Sequence, residues 1–501
     1  MLELSGSPLS LAEIAAVAAG RTAAQLTTGA RDRVLASRQL VDRVISEGRI
    51  VYGINTGFGK LSDVHIAPAD LDALQTNLVR SHSCGLGRPL SEPETRAMML
   101  LRANVLSLGF SGCRLIVLET LLNMLARGVH PVIPEKGSVG ASGDLAPLAH
   151  LALSMIGEGE CWFRGERMSS QAALRAAGIE PVRLAAKEGL ALLNGTQAMG
   201  AIGALALHRA LRVVALADLA GAMTLEALLG TPVAFDERIH AARPHPGQIA
   251  AATHLRKLLE NSEIRRSHLL NDPRVQDAYS LRCMPQVHGA VRNALEHAKS
   301  VVEIESGSAT DNPLVFENGD ILSGGNFHGA PLAAVFDYAC LAMTDLMSIC
   351  ERRIDRLVNP DVNEGLPPFL SSHPGLGSGF MIAQICAVSL LNEAKVLAHP
   401  ASIDNVPTSG DKEDHVSMGM TAAVKLREVV SNAEHVLAIE LLAAAEGLDY
   451  RAPLRSSPYI EKARASIRAL VPRLTADRPL SRDMEAIAIA IQRGGFDEFM
   501  N

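Results

Sequence analysis

The residues with the most evident chemistry are Ala141-Ser142-Gly143, inside Gly137-Ser-Val-Gly-Ala-Ser-Gly-Asp-Leu-Ala-Pro147. Three small residues between Gly140 and Asp144 make a poor helix or strand. They make a backbone that can fold tightly on itself, because glycine reaches conformations other residues do not. In a turn compressed enough, the Gly143 amide nitrogen attacks the Ala141 carbonyl carbon. Loss of water closes a five-membered ring, and loss of a second water from Ser142 leaves an exocyclic methylidene. The product is an electrophile made from the chain itself. A serine-nucleophile reading fits less well: a nucleophile elbow needs Gly-x-Ser-x-Gly, and Gly140-Ala-Ser-Gly-Asp144 has Asp in the last place.

Other residues with chemical capacity are scattered. Tyr52 precedes Gly53-Ile-Asn-Thr-Gly57-Phe-Gly59, which matches neither glycine-rich phosphate pattern and reads as a surface loop or a mobile lid carrying the tyrosine. His82 closes a helix, where a lone histidine is ordinarily a cap. Asn194 stands at a helix start, again an ordinary cap position. Gln276, Tyr279 and Arg282 are three apart and would share one face of a helix. That face is either solvated or pairs an acid/base group with a guanidinium that grips carboxylates bidentately. Phe327 reads as core or as an aromatic wall. Glu413-Asp-His415 would ordinarily be acids near a helix N-terminus.

The positioning elements are mostly helices. The chain has 501 residues, room for about two to four domains or one large elongated architecture. Hydrophobic residues make up 48% but aromatic ones only 3%, so the core is Leu, Ala, Val and Ile, a mix that favours packed helices. Ser10-x-x-Glu13 is a capping box opening a short helix that Gly20 ends. Helical patterns follow at about 32–47, 70–81, 93–108, 114–127 and 145–156. A long apolar helix opens at 188 and runs to about 229; later ones cover about 288–306, 333–357, 378–397, 419–446, 458–470 and 482–492. Segment 49–52 is β-like, 160–185 has hairpin character, and 314–316 with 321–322 suggests a strand pair.

Bulk properties narrow the class. The net charge of −7 is mild, and no Lys/Arg cluster suggests a nucleic-acid partner. Met1-Leu-Glu-Leu-Ser has no basic, apolar leader pattern. The most apolar region, about 199–230, is interrupted by His208, Arg209, Arg212 and Asp218, so no membrane span is expected. The seven cysteines are scattered without C-x-x-C, which suggests reduced thiols in a cytoplasmic protein. No H-E-x-x-H occurs among the sixteen histidines, so no metal is expected.

The twelve residues from Gly137 to Leu148 resemble the signature of the aromatic amino acid ammonia-lyases, and Tyr52–Gly59 resembles that family's loop with its catalytic tyrosine. The resemblance runs from Tyr52 to Met418 in the family's order. It implies the cofactor 4-methylideneimidazole-5-one (MIO), formed from Ala141, Ser142 and Gly143, and no external cofactor. It implies a mainly α, fumarase/aspartase-like architecture: an N-terminal domain, 1–200, carrying the MIO turn, and a bundle of long helices with a C-terminal helical region, 201–501. It also implies a homotetramer with active sites built from several chains and a small amino acid as substrate. The electrophile captures the amino group in one scheme and the aromatic ring in another, and the residues do not decide between them. Tyr52 is then the base, needing a cation or hydrogen-bond donors to hold its anion. Tyr279 supports proton transfer. Arg282 holds the carboxylate with Asn194 and Gln276, and Phe327 walls the substrate.

His82 and Glu413 suit an imidazole, since each can exchange a hydrogen bond with a ring nitrogen. A phenyl ring would leave both unpaired. The resemblance therefore implies deamination of L-histidine to trans-urocanate. A phenylalanine or tyrosine ammonia-lyase or aminomutase is the alternative, and a non-catalytic helical scaffold a remote one. Gly410-Asp-Lys412 departs from the Ala-Asn-Gln usual before this glutamate in histidine lyases, and Gly377 stands where Asn or Gln is common. In the purified protein the peptide containing residues 141–143 should be lighter by two waters; an unmodified mass would refute the ring closure.

Overall fold

The helices begin where short polar side chains can take up the first free amides. Ser10 accepts from Glu13 N (3.2 Å) while the Glu13 carboxylate accepts from Ser10 N (2.9 Å), opening Leu11–Ala18. Ser91 and Glu94 repeat this at Glu92–Ser107. Gly128, in the left-handed region, ends Leu115–Arg127. The computed structural model describes residues 1–270, 272 and 274–500. It is mainly α, with four long helices, Gln197–Ala227, Met284–Ser306, Ala330–Val358 and Gly419–Asp449.

The chain forms two compact units. One is Met1–His208, Ala298–Asp337 and Pro400–Arg427; the other is Arg209–His297, Tyr338–His399 and Glu428–Asn501. In the first, Glu92–Ser107 is the central helix, buried almost throughout and flanked by Leu11–Ala18 and Leu115–Arg127. Its small sheets pair Leu2–Leu4 with Ala24–Leu26 in parallel, and Leu86–Pro89 with Pro134–Lys136 antiparallel. Glu160–Phe163 and Glu166–Ser169 form the expected hairpin, extended by His130–Pro131. Leu314–Val315 pairs with Ile321–Leu322 as the sequence suggests. In the second unit, a fully buried carboxylate, Asp218, accepts from His254 Nδ1 (2.9 Å), His288 Nδ1 (2.6 Å) and Arg292 (2.7 Å). Arg353 and Glu440 form a second buried pair there at 2.5 Å.

Three elements differ from the sequence reading. Segment 49–52 is not a strand: the Asn55 side chain takes the Val51 amide (2.9 Å) and the Arg49 carbonyl (2.8 Å) that a neighbouring strand would use. The helix opening at 188 is two helices, Glu188–Leu193 and Gln197–Ala227, because Gly195 (φ +151) turns the chain between them. Gln276 does not share a helix face with Tyr279 and Arg282. Only Tyr279–Arg282 is helical, and a new helix starts at Met284, where Pro285, lacking an amide hydrogen, fits a first turn.

Gln197–Ala227 and Ala330–Val358 are long and apolar enough to cross a membrane, with mean hydropathies of 1.4 and 1.5. Inside the protein, 67% and 61% of those apolar windows are buried, so burial accounts for their composition. Their packing leaves no slack: a Cβ on Gly203 would lie 2.0 Å from Phe336 Cζ. In an open helix Gly→Ala stabilises by about 1 kcal/mol. Here Gly203→Ala should instead destabilise by about 1–3 kcal/mol, measured as a lowered Tm; an unchanged or raised Tm would refute the tight packing.

Candidate active site

The tripeptide sits in a turn held from both sides. Gly143 has φ +74, and a Cβ there would lie 2.2 Å from Gly195 O. The two glycines approach backbone to backbone, and Asp144 N donates to Gly195 O at 2.7 Å. Asp144 is fully buried; its carboxylate accepts from Ser138 Oγ (2.8 Å) and Met199 N (2.7 Å). Burial pushes its carboxyl up to about 6 against these donors. On the other side, Met418 N donates to Val139 O (2.8 Å) and Ser417 Oγ to Gly140 O (2.9 Å). The last two bonds explain how Glu413, far away in sequence, reaches the turn.

Gly195 is itself held by Arg102, a guanidinium buried in the central helix. Arg102 Nη1 donates to Asn194 O (2.6 Å) and Gln197 Oε1 (2.7 Å), and Nη2 to Ala191 O. These groups cap the end of Glu188–Leu193, where carbonyls lack helical partners. A Cβ on Gly195 would lie 2.4 Å from Arg102 Nη1, so only glycine fits between the guanidinium and Gly143.

Ser142 faces a cavity of about 680 Å³. Larger cavities, about 870 and 740 Å³, lie elsewhere in the same unit and contain none of the tripeptide. Chemistry, not size, therefore picks the site. One wall is the Leu71–His82 helix, which packs on Leu145–Met155 and Glu188–Leu193. It presents Leu74, Asn77, Leu78, Ser81 and His82 to the cavity, the spacing of one helical face. Asn194 lines the cavity from the end of Glu188–Leu193, keeping an amide hydrogen on Asn312 O at 3.0 Å. The Tyr52 loop forms another wall, anchored by Ile54, which is buried in a cluster with Val41, Val44, Leu71 and Val315.

Ser142 Oγ donates to Glu413 Oε1 at 2.6 Å. Thr408 Oγ1 (2.7 Å) and Ser409 Oγ (2.9 Å) donate to Oε2. Burial raises the Glu413 carboxyl, but these hydroxyls outweigh it and the net direction is down. His82 Nδ1 lies 2.9 Å from Leu78 O, and burial lowers its imidazole against that bond and the nearby Glu413. Burial raises the Tyr52 phenol, Glu413 adds to this, and the Gly59 amide opposes it. Tyr52 thus rests as a phenol with one backbone donor available to its anion.

The structure brings Tyr52, His82, Ser142, Asn194 and Glu413 to one cavity. Phe327, half-buried in the 323–329 turn, is not among the residues lining it. Gln276, Tyr279 and Arg282 belong to the second unit. There Tyr279 is 70% exposed, and the Arg282 guanidinium lies 4.6 Å from its ring centre. Sequence reasoning missed Arg102, Asn77, Ser81, Thr408 and Ser409. Asn77 and Ser81, four apart, could have been found from their shared helix face, and Arg102 as a lone charge within Met98–Leu106.

The sequence matches the aromatic amino acid lyase family over residues 9–469. The chain belongs to that family. A histidine ammonia-lyase from Anaeromyxobacter sp. (strain K) is 56% identical to this lyase over 99% of each chain. The crystal structure of histidine ammonia-lyase from Trypanosoma cruzi is 41% identical, with a TM-score of 0.93 over 100% of this chain and 94% of that one. Tyrosine aminomutase from Streptomyces globisporus is 38% identical, with a TM-score of 0.95 over 100% and 98%.

The depressed Glu413 carboxyl of the lyase has a pH signature. An acid lowered on folding contributes stability above its unfolded value, about 4.3, and loses it as pH falls through the folded value. The stability difference between the protein and its E413Q variant should therefore be present above about pH 4.3 and shrink as pH falls below it, read from urea midpoints. A difference that widens in acid would contradict the assigned direction.

Proposed function

We propose that this lyase converts L-histidine to trans-urocanate and ammonia, using MIO formed from Ala141, Ser142 and Gly143. The observation that carries the reading is the cavity wall where Glu413 meets Ser142 at 2.6 Å and His82 lines the same space. A carboxylate and a neutral imidazole beside the tripeptide suit a nitrogen heterocycle. A phenyl ring would offer no donor to His82 Nε2 or, once Ser142 has lost its hydroxyl, to Glu413 Oε1, and an unmet polar atom costs free energy. The full-length histidine ammonia-lyase relative at 56% identity supports the same substrate.

The turn fits the ring: glycine at 143 and 195 lets two backbones touch, and Ser142, whose hydroxyl must leave, faces the cavity. When formed from Ala141, Ser142 and Gly143, MIO would supply an electron-poor carbon that eases loss of ammonia or of the β-hydrogen. The chain's own residues do the rest. Tyr52 takes the β-proton, its oxygen supported by the Gly59 amide. His82 and Glu413 orient the ring. Arg282, with Gln276 and Asn194, holds the carboxylate, and Tyr279 relays a proton. The exposed Tyr279 suits a homotetramer in which several chains complete one site, with Phe327 as an aromatic wall of that completed site.

The test is a side-by-side assay of the purified protein with L-histidine, L-phenylalanine and L-tyrosine. Urocanate absorbance should grow with L-histidine. Turnover of L-phenylalanine or L-tyrosine alone, to an unsaturated acid or a β-amino acid, would overturn the substrate. No turnover with an intact ring would overturn the activity.

A further inference from the structure

The polar groups at the ring end of the cavity are arranged to accept. His82 Nδ1 lies 2.9 Å from Leu78 O and 3.0 Å from Ser81 Oγ. A carbonyl oxygen only accepts, so Nδ1 carries the hydrogen and the neutral ring keeps its lone pair on Nε2. Ser81 directs its own hydroxyl hydrogen to Leu78 O (3.1 Å), leaving its oxygen to accept from Nδ1 as well. The other tautomer would set the Nδ1 lone pair against Leu78 O. Burial of His82 disfavours its doubly protonated form.

Glu413 offers the second acceptor. Oε2 is occupied by Thr408 and Ser409. Among the described residues Oε1 takes its only side-chain donor from Ser142, and the second loss of water in MIO formation removes that hydroxyl. Oε1 is then an ionised acceptor without its partner. The other titratable groups lining the cavity are Tyr52 and Lys60. The Gly59 amide serves the Tyr52 oxygen. Lys60 is exposed, its stem passing over Gly410. Two acceptors therefore await donors. A neutral imidazole has one N–H and one lone pair, whereas an imidazolium has two N–H groups.

We propose that His82 Nε2 and Glu413 Oε1 form a two-acceptor clamp, with Leu78 O and Ser81 as its positioning groups, that takes the substrate's imidazole together with one additional proton. The proposal rests on the histidine reading and extends it from the identity of the substrate to its protonation state. Binding of a neutral imidazole draws one proton from water, so that one ring N–H donates to His82 Nε2 and the other to Glu413 Oε1. A phenol brings one donor and a phenyl ring none, so the clamp rejects both by leaving an acceptor unpaired.

The probe is imidazole, which has no amino group to titrate. Its binding to the matured protein is measured by calorimetry in buffers of different ionisation enthalpy, at about pH 8.5, well above the ordinary imidazole value of about 6.5. The clamp requires uptake of close to one proton per site and about a tenfold loss of affinity per pH unit. Zero uptake, or no imidazole binding, overturns it. S142A, which lacks the hydroxyl from the outset and cannot form the methylidene, allows the same measurement with imidazole in the absence of the electrophile, and zero uptake there also overturns it. In E413Q the amide supplies a donor and an acceptor, so uptake should fall while imidazole still binds; undiminished uptake would count against Glu413. L-Histidine turnover without proton uptake sinks the clamp alone, whereas turnover of L-tyrosine and not L-histidine sinks the reading beneath it.

Discussion

The backbone contact between Gly143 and Gly195 is the constraint on which the site depends. The Asp144 amide reaches Gly195 O at 2.7 Å, and neither glycine has room for a Cβ. Such a contact is unstable alone, because it sets two strained turns together and leaves carbonyls without donors. Arg102 resolves this. Its guanidinium donates to Asn194 O, Ala191 O and Gln197, so the end of one helix is capped from inside the core. These three acceptors satisfy Nη1 and Nη2, while Nε is buried without one. The same bonds set Asn194 at the cavity edge, so compressing the turn and presenting an amide to the cavity are one structural act.

The second organising relation is between Ser142 and Glu413. Glu413 arrives on a loop whose following residues, Ser417 and Met418, are bonded to Gly140 and Val139. Its position is thereby referenced to the turn and not to its own loop. Thr408 and Ser409 hold the far oxygen, leaving the near one to face Ser142. Helix geometry supplies the opposite wall, with His82 one turn beyond Leu78 and hydrogen-bonded back to it.

Much of this was legible in the sequence where the cause is local. The capping box at Ser10 marks a helix start because a side chain three residues away completes it. The small-residue tripeptide is legible because no regular element wants it. The break at Gly195 was not, since Glu188–Ala227 reads as one apolar run and its cause, Gly143, is some fifty residues earlier. Arg102 was legible only as a lone charge in an apolar run; its partners, two backbone carbonyls and the Gln197 side chain, leave no mark in the sequence. Gln276 was misread because three-residue spacing implies a shared face only inside a helix, and the helix there is Tyr279–Arg282 alone. Thr408 and Ser409 read as loop residues until Glu413 is seen between them.

The clasp from Ser417 and Met418 onto Gly140 and Val139 also imposes an order in time. Residues 139–143 leave the ribosome long before residue 417, and until then the turn lacks one of the two jaws that compress it. The turn takes its final shape only when residues 417 and 418 are present to bond Gly140 and Val139, so its geometry belongs to the folded chain and not to the local sequence.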